Sequence, residues 1–153
     1  MTLHFAYGSN MSRTHMRVRC PAAREVGTAI LPGYRFVITA DGYASVRRAQ
    51  GHEVHGLLWR LTPRDRAALN AYEDLADGLY RAVTLPVRAG GRRLSALVYV
   101  AASTARGMAK PGYFDVVVAA ARDINLPAPY VRSLEHWRGG FVAARARAAG
   151  EIA

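Results

Sequence analysis

The chain has one cysteine, Cys20, so no internal disulfide can form, and this usage fits a reducing compartment such as the cytoplasm. With Pro21 beside it and no neighbouring histidine, Cys20 is expected to be structural. Long apolar runs are also missing. Arg, Gly or Pro interrupts each stretch well before the ~18 residues that a spanning helix needs, so no membrane segment is expected. The opening Met-Thr-Leu-His-Phe lacks a basic stretch leading into an apolar one, which argues against an export signal. Lysine occurs once, at Lys110, among 21 basic residues, and there are only 11 acids. The net charge of +10 brings nucleic acid, a membrane surface or an acidic ligand into consideration. The arginines, however, stand singly or in pairs (Arg47-Arg48, Arg92-Arg93, Arg145, Arg147), with no basic run interleaved with aromatics. The charge therefore reads as solubilising, and nucleic acid is not the expected partner. No Gly-x-Gly-x-x-Gly follows a strand, Ser9 is not in Gly-x-Ser-x-Gly, and no His-Glu-x-x-His occurs. His52 and His55 lie three apart in a strand-like run, on opposite faces, which disfavours a shared metal. No metal or cofactor is expected.

At 153 residues and 51% hydrophobic composition, the chain fits one domain with a sizeable core, residues 1–153, with a tail expected to fray from about Arg145. The first two-thirds reads as strands over Leu3–Tyr7, Val26–Leu31, Tyr34–Ala40, Tyr43–Arg48 and Glu53–Leu61, with turns at Pro32-Gly33 and Asp41-Gly42. Met11–Arg17 reads as a short helix capped by Asn10. Thr62, Pro63 and Asp65 start a helix with Leu69, Tyr72 and Leu75 as its buried stripe, expected to stop near Asp77-Gly78. A hairpin, Tyr80–Arg88 and Arg93–Ala101, turns at Ala89-Gly90-Gly91, and helices follow over Tyr113–Ile124, about Pro129–Trp137 and from Phe141. The class is α+β: an antiparallel or mixed sheet, strongly curved or closed, with helices packed outside.

Two features point to chemistry. Phe5-Ala6-Tyr7-Gly8-Ser9-Asn10 reads as a strand feeding a tight loop whose exposed N–H groups suit an anion or oxyanion. Glu73, Asp74 and Asp77 sit at the C-terminal end of a predicted helix, where the negative macrodipole disfavours carboxylates by about 0.3–1 kcal/mol each. Glu73 also has apolar neighbours in Leu69, Tyr72 and Leu75. Burial, the helix end and nearby acids all raise a carboxyl pKa toward the range useful for general acid–base work. Taken singly, Tyr7, Tyr80, Tyr99, Tyr113 and Tyr130 read as core rather than pocket residues.

Together these pieces resemble the gamma-glutamylcyclotransferase family. The likeness runs in order through Phe5 to Met11, Ala44-Ser45-Val46, Val54 to Trp59, Leu69 to Glu73 with Gly78-Leu79-Tyr80, Pro111-Gly112-Tyr113 and Asn125 to Tyr130. It implies a small mixed-strand β-barrel flanked by helices. It also implies a metal-free reaction in which a γ-glutamyl compound closes to 5-oxoproline and releases an amino acid or amine. Glu73 would be the acid–base group. The N–H groups of Gly8, Ser9 and Asn10 would hold either the oxyanion or the substrate's α-carboxylate. Tyr7, Tyr80 and Tyr113 would be pocket walls or hydrogen-bond donors. Many members have Gly after the glutamate where this chain has Asp74, which leaves the substrate open. Alternatives are a γ-glutamylamine or a γ-glutamyl-protected intermediate as substrate and, from another class, a non-catalytic basic binding module.

Overall fold

The computed structural model describes residues 1–73, 75, 77–103 and 105–137. The expected fraying tail from about 145 lies outside the described residues, as does Asp74. The strands are β1 (Thr2–Ala6), β2 (Arg24–Ile38), β3 (Ala44–Leu61), β4 (Tyr80–Ala89) and β5 (Arg92–Ala101). They close into a barrel in the order β1-β3-β2-β4-β5. Every pairing is antiparallel except β1 with β5, which run parallel and meet at His4 and Leu97, so the barrel is mixed, as the sequence implies.

The expected turn at Pro32-Gly33 does not reverse the chain. It is a bulge in one long strand, with a register shift between Pro32 and Tyr34. Gly33 takes φ 78°, a left-handed conformation that absorbs the extra residue without ending the ladder. Tyr43–Arg48 and Glu53–Leu61 likewise fuse into β3. The result is a long bent ribbon, β2–β3, which lets five strands close a barrel. Both faces of β3 are covered near its end, because Leu57, Leu58, Trp59 and Leu61 are all buried.

Two helix expectations are also corrected. Residues Ser9–Met11 form a 3-10 turn, and the first α-helix, α1 (Arg13–Arg19), is capped by the Ser12 hydroxyl rather than by Asn10. The Asn10 side chain is committed to Arg19 and Glu73 instead. Helix α2 (Pro63–Tyr72) starts as expected, with Thr62 Oγ1 accepting from Asp65 N at 3.1 Å. It ends at Tyr72, short of Asp77. No basic residue of the helix itself stands in its last turn to offset a carboxylate at its negative end, and the chain leaves the helix in loose turns (Leu75 N to Asn70 O, Gly78 N to Leu75 O). Tyr72 is consequently half exposed and is not part of a buried stripe. Helix α3 (Pro111–Asp123) and helix α4, described over 128–137, pack outside the barrel, where Phe36 meets Phe114 and Trp137 at centroid distances of 6.5 and 6.2 Å. Among the described residues no helix is long and apolar enough to cross a membrane.

Candidate active site

Four chain ends are brought to one place. Strand β1 stops at Ala6 and the chain turns through Tyr7-Gly8 into the 3-10 turn. The end of α2 delivers Glu73, the start of β4 delivers Tyr80 and the first turn of α3 delivers Tyr113. They enclose a cavity of about 390 Å³, and each of Tyr7, Gly8, Ser9, Asn10, Glu73, Tyr80 and Tyr113 lines it.

Glu73 caps the C-terminus of α2, with its N–H bonded to Leu69 O at 2.8 Å. Its carboxylate accepts from Asn10 Nδ2 at 3.2 Å. Burial raises its pKa from 4.5 to about 7, against the smaller opposing pull of the Arg19 charge and the Asn10 hydrogen bond. This group is half ionised near neutral pH and can therefore both accept and return a proton. Of the causes anticipated from sequence, burial dominates.

The tyrosines are divided by what their hydroxyls do. Tyr7 Oη donates to Tyr99 O, and Tyr80 Oη donates to Ala44 O at 2.7 Å, so both spend their protons on backbone and act as walls. Tyr113 Oη instead accepts from Ala44 N at 3.2 Å, which keeps its own proton for another partner. Burial pushes all three phenols well up, so they stay neutral. A Cβ on Gly8 would lie 3.0 Å from Tyr113 Oη, so glycine is what lets the loop approach this hydroxyl. The Ser9 hydroxyl accepts from Arg19 Nη1 at 3.0 Å.

Sequence reasoning missed Arg19, His4 and Tyr43, while its reading of Tyr99 as core holds, since that ring is buried in the core cluster. Tyr99 lines the cavity and donates to Asn70 Oδ1 at 2.6 Å. His4 is 2% exposed and lines the cavity from β1. Its buried ring is held neutral, with the pKa lowered to about 4. Arg19 had no distinguishing signal among so many arginines, because its contacts depend on where α1 leaves it. His55 bonds Glu53 at 3.2 Å and stacks near Tyr130, away from the cavity. Among the described residues no group of three or more His, Cys, Asp or Glu side chains is placed to hold a metal. Cys20 is buried and its thiol is pushed up to about 11, consistent with a structural role.

Comparison with known proteins agrees with this fold. Residues 4–115 match the model of a family described as gamma-glutamyl cyclotransferase, AIG2-like. A gamma-glutamylcyclotransferase of Mus musculus is 24% identical over 87% of this chain and 77% of its own length. A solved structure titled gamma-glutamyl cyclotransferase superimposes with a TM-score of 0.82 at 22% identity, covering 88% of this chain and 86% of that one. YkqA from Bacillus subtilis gives 0.77 at 25% identity, covering 88% of this chain and 53% of that one. The resemblance carried by Tyr7-Gly8-Ser9-Asn10 and the Glu73 segment is therefore borne out: the chain belongs to the gamma-glutamyl cyclotransferase, AIG2-like family.

Proposed function

We propose that the chain cyclises a γ-glutamyl compound to 5-oxoproline and releases an amino acid or amine, with Glu73 as the acid–base group. The observation that carries this reading is the Glu73 carboxyl lining one cavity with the Gly8–Asn10 loop, bonded to Asn10 Nδ2 at 3.2 Å, where burial pushes its pKa up to about 7. The substrate's α-amine attacks its own γ-carbonyl, so the nucleophile is tethered and orientation supplies much of the rate. Ionised Glu73 takes the proton from the amine. The N–C bond forms, the amide C–N bond breaks, and Glu73 returns that proton to the departing nitrogen. Nothing is oxidised or reduced, and no cofactor enters the balance.

The loop N–H groups and the Tyr113 hydroxyl supply donors for negative oxygen, either the tetrahedral oxyanion or the α-carboxylate. The buried tyrosine walls lower the local dielectric on their side of the cavity, which strengthens those bonds. The deciding experiment is a screen of the purified protein against γ-glutamyl amino acids, γ-glutamyl amines and glutathione, following release of 5-oxoproline. Release from at least one class is expected, short γ-glutamyl amino acids first. Silence across all three would remove the reading.

A further inference from the structure

Asn10 is the junction of several hydrogen bonds around Glu73. Its Oδ1 accepts from Arg19 Nη1 at 2.6 Å, while its Nδ2 donates to Glu73 Oε1 at 3.2 Å and lies 3.5 Å from His4 Nε2. Its backbone carbonyl accepts from Trp59 Nε1 at 2.9 Å, which pins the residue in place. A guanidinium only donates, so Arg19 must meet the amide oxygen, and the NH₂ is thereby turned toward Glu73. His4 enforces the same orientation. Its Nδ1 lies 3.1 Å from Leu97 O, an acceptor, so Nδ1 carries the proton and Nε2 presents a lone pair to Asn10 Nδ2. Arg19 is itself fixed, because Nη1 also donates to Ser9 Oγ at 3.0 Å and the guanidinium carbon sits 3.8 Å from the Tyr72 ring centroid. Tyr72 immediately precedes Glu73, so one arginine ties the loop to the end of α2.

We propose that Arg19 is the positioning residue of this site: through the Asn10 amide it holds Glu73 Oε1 as a hydrogen-bond acceptor and leaves Oε2 as the oxygen that takes and returns the proton. This rests on Glu73 being the acid–base group. Arg19 is not among the residues lining the cavity, so it acts through Asn10 and not on the substrate. The titratable groups around Glu73 are His4 on β1, Tyr7 just after it, Tyr43 ahead of β3, Tyr72 on α2, Tyr80 on β4, Tyr99 on β5 and Tyr113 on α3. Lys110 bonds Tyr43 Oη at 3.0 Å and the Arg66 charge acts on Tyr99, while Arg19 is the cation that acts on Glu73, and its charge favours the ionised carboxylate.

The test is Arg19→Met, which keeps the stem and removes both the donors and the charge. The acid limb of kcat/KM should move up by about one pH unit, and the ¹³C titration of the Glu73 carboxyl should move with it. The plateau kcat should fall about tenfold as the Asn10 amide loses its preferred orientation. Arg19→Lys keeps the charge without the paired donors, so its acid limb should stay in place while kcat falls. An unmoved Glu73 titration in folded Arg19→Met, or wild-type kcat in Arg19→Lys, overturns the proposal. Should Arg19→Met fail to fold, Arg19→Lys carries the test alone. A Glu73 titration that moves as expected, in a protein whose Glu73→Gln variant still turns over, would keep Arg19 in its place and remove only the acid–base role of Glu73.

Discussion

Replacing Glu73 with glutamine should damage activity and improve stability at the same time, because the two effects share one cause. Glutamine keeps the size of the side chain and an oxygen that can accept from Asn10 Nδ2, so the local contact survives. What disappears is a carboxyl that burial holds at a pKa of about 7 instead of 4.5. A raised carboxyl pKa means that the protonated form fits the fold better. Its contribution to stability is complete below about pH 4.5 and is lost as pH rises through about 7. The full shift is worth at most about 3.4 kcal/mol at ~1.4 kcal/mol per unit. Glu73 is half-buried, so water screens part of this and about 2 kcal/mol is the working figure.

By denaturant titration, Glu73→Gln should therefore match wild type near about pH 4.5 and exceed it by about 2 kcal/mol near about pH 8.5. That gain corresponds to about 4–8 °C in Tm for a domain of this size. The difference between the proteins is the quantity to read, because His4 opposes Glu73 in the wild type. Its pKa is lowered from 6.5 to about 4, so its stabilising contribution is complete above 6.5 and is lost as pH falls through about 4. Turnover to 5-oxoproline should drop at least about 100-fold with the fold intact. A stability difference that is flat across pH would refute the burial argument. Turnover within a few-fold of wild type would refute the acid–base role.

The other expectations follow from single contacts. Tyr113→Phe removes the acceptor for Ala44 N and the hydroxyl offered to the cavity. It should cost about 1 kcal/mol of stability by denaturant titration, and kcat should fall more than KM rises. Gly8→Ala places a methyl group 3.0 Å from Tyr113 Oη, so it should lower kcat/KM about tenfold while Tm moves by only a few degrees, read by activity assay and calorimetry. Phe36→Ala empties the contact with Phe114 and Trp137 and should cost about 3–5 kcal/mol, yet leave the acid limb of the pH–rate profile where it was. His4→Phe should flatten the acid side of the stability curve between about pH 6.5 and 4, as measured by denaturation midpoints.

The class of the fold could be read from the sequence because it depends on local rules. Alternating apolar residues, the Ala89-Gly90-Gly91 turn and the Thr62-Pro63-Asp65 helix start each act over a few positions. The same rules misread Pro32-Gly33, where a bulge and a turn have the same composition and only pairing with β3 decides between them. They also ran α2 past Tyr72, since the destabilising effect of acids at a helix end competes with a continuing apolar pattern, and the pattern alone does not say which prevails. At the site, the sequence by itself determined the parts that short spacings mark: a glycine loop after β1 and a glutamate at a helix end. The tertiary structure decided the rest. It placed Glu73 in a cavity, raised its pKa by burial, and brought Arg19 and His4 to the two sides of the Asn10 amide. Burial and hydrogen-bond direction arise only when strands and helices from distant parts of the chain meet, so no local pattern encodes them.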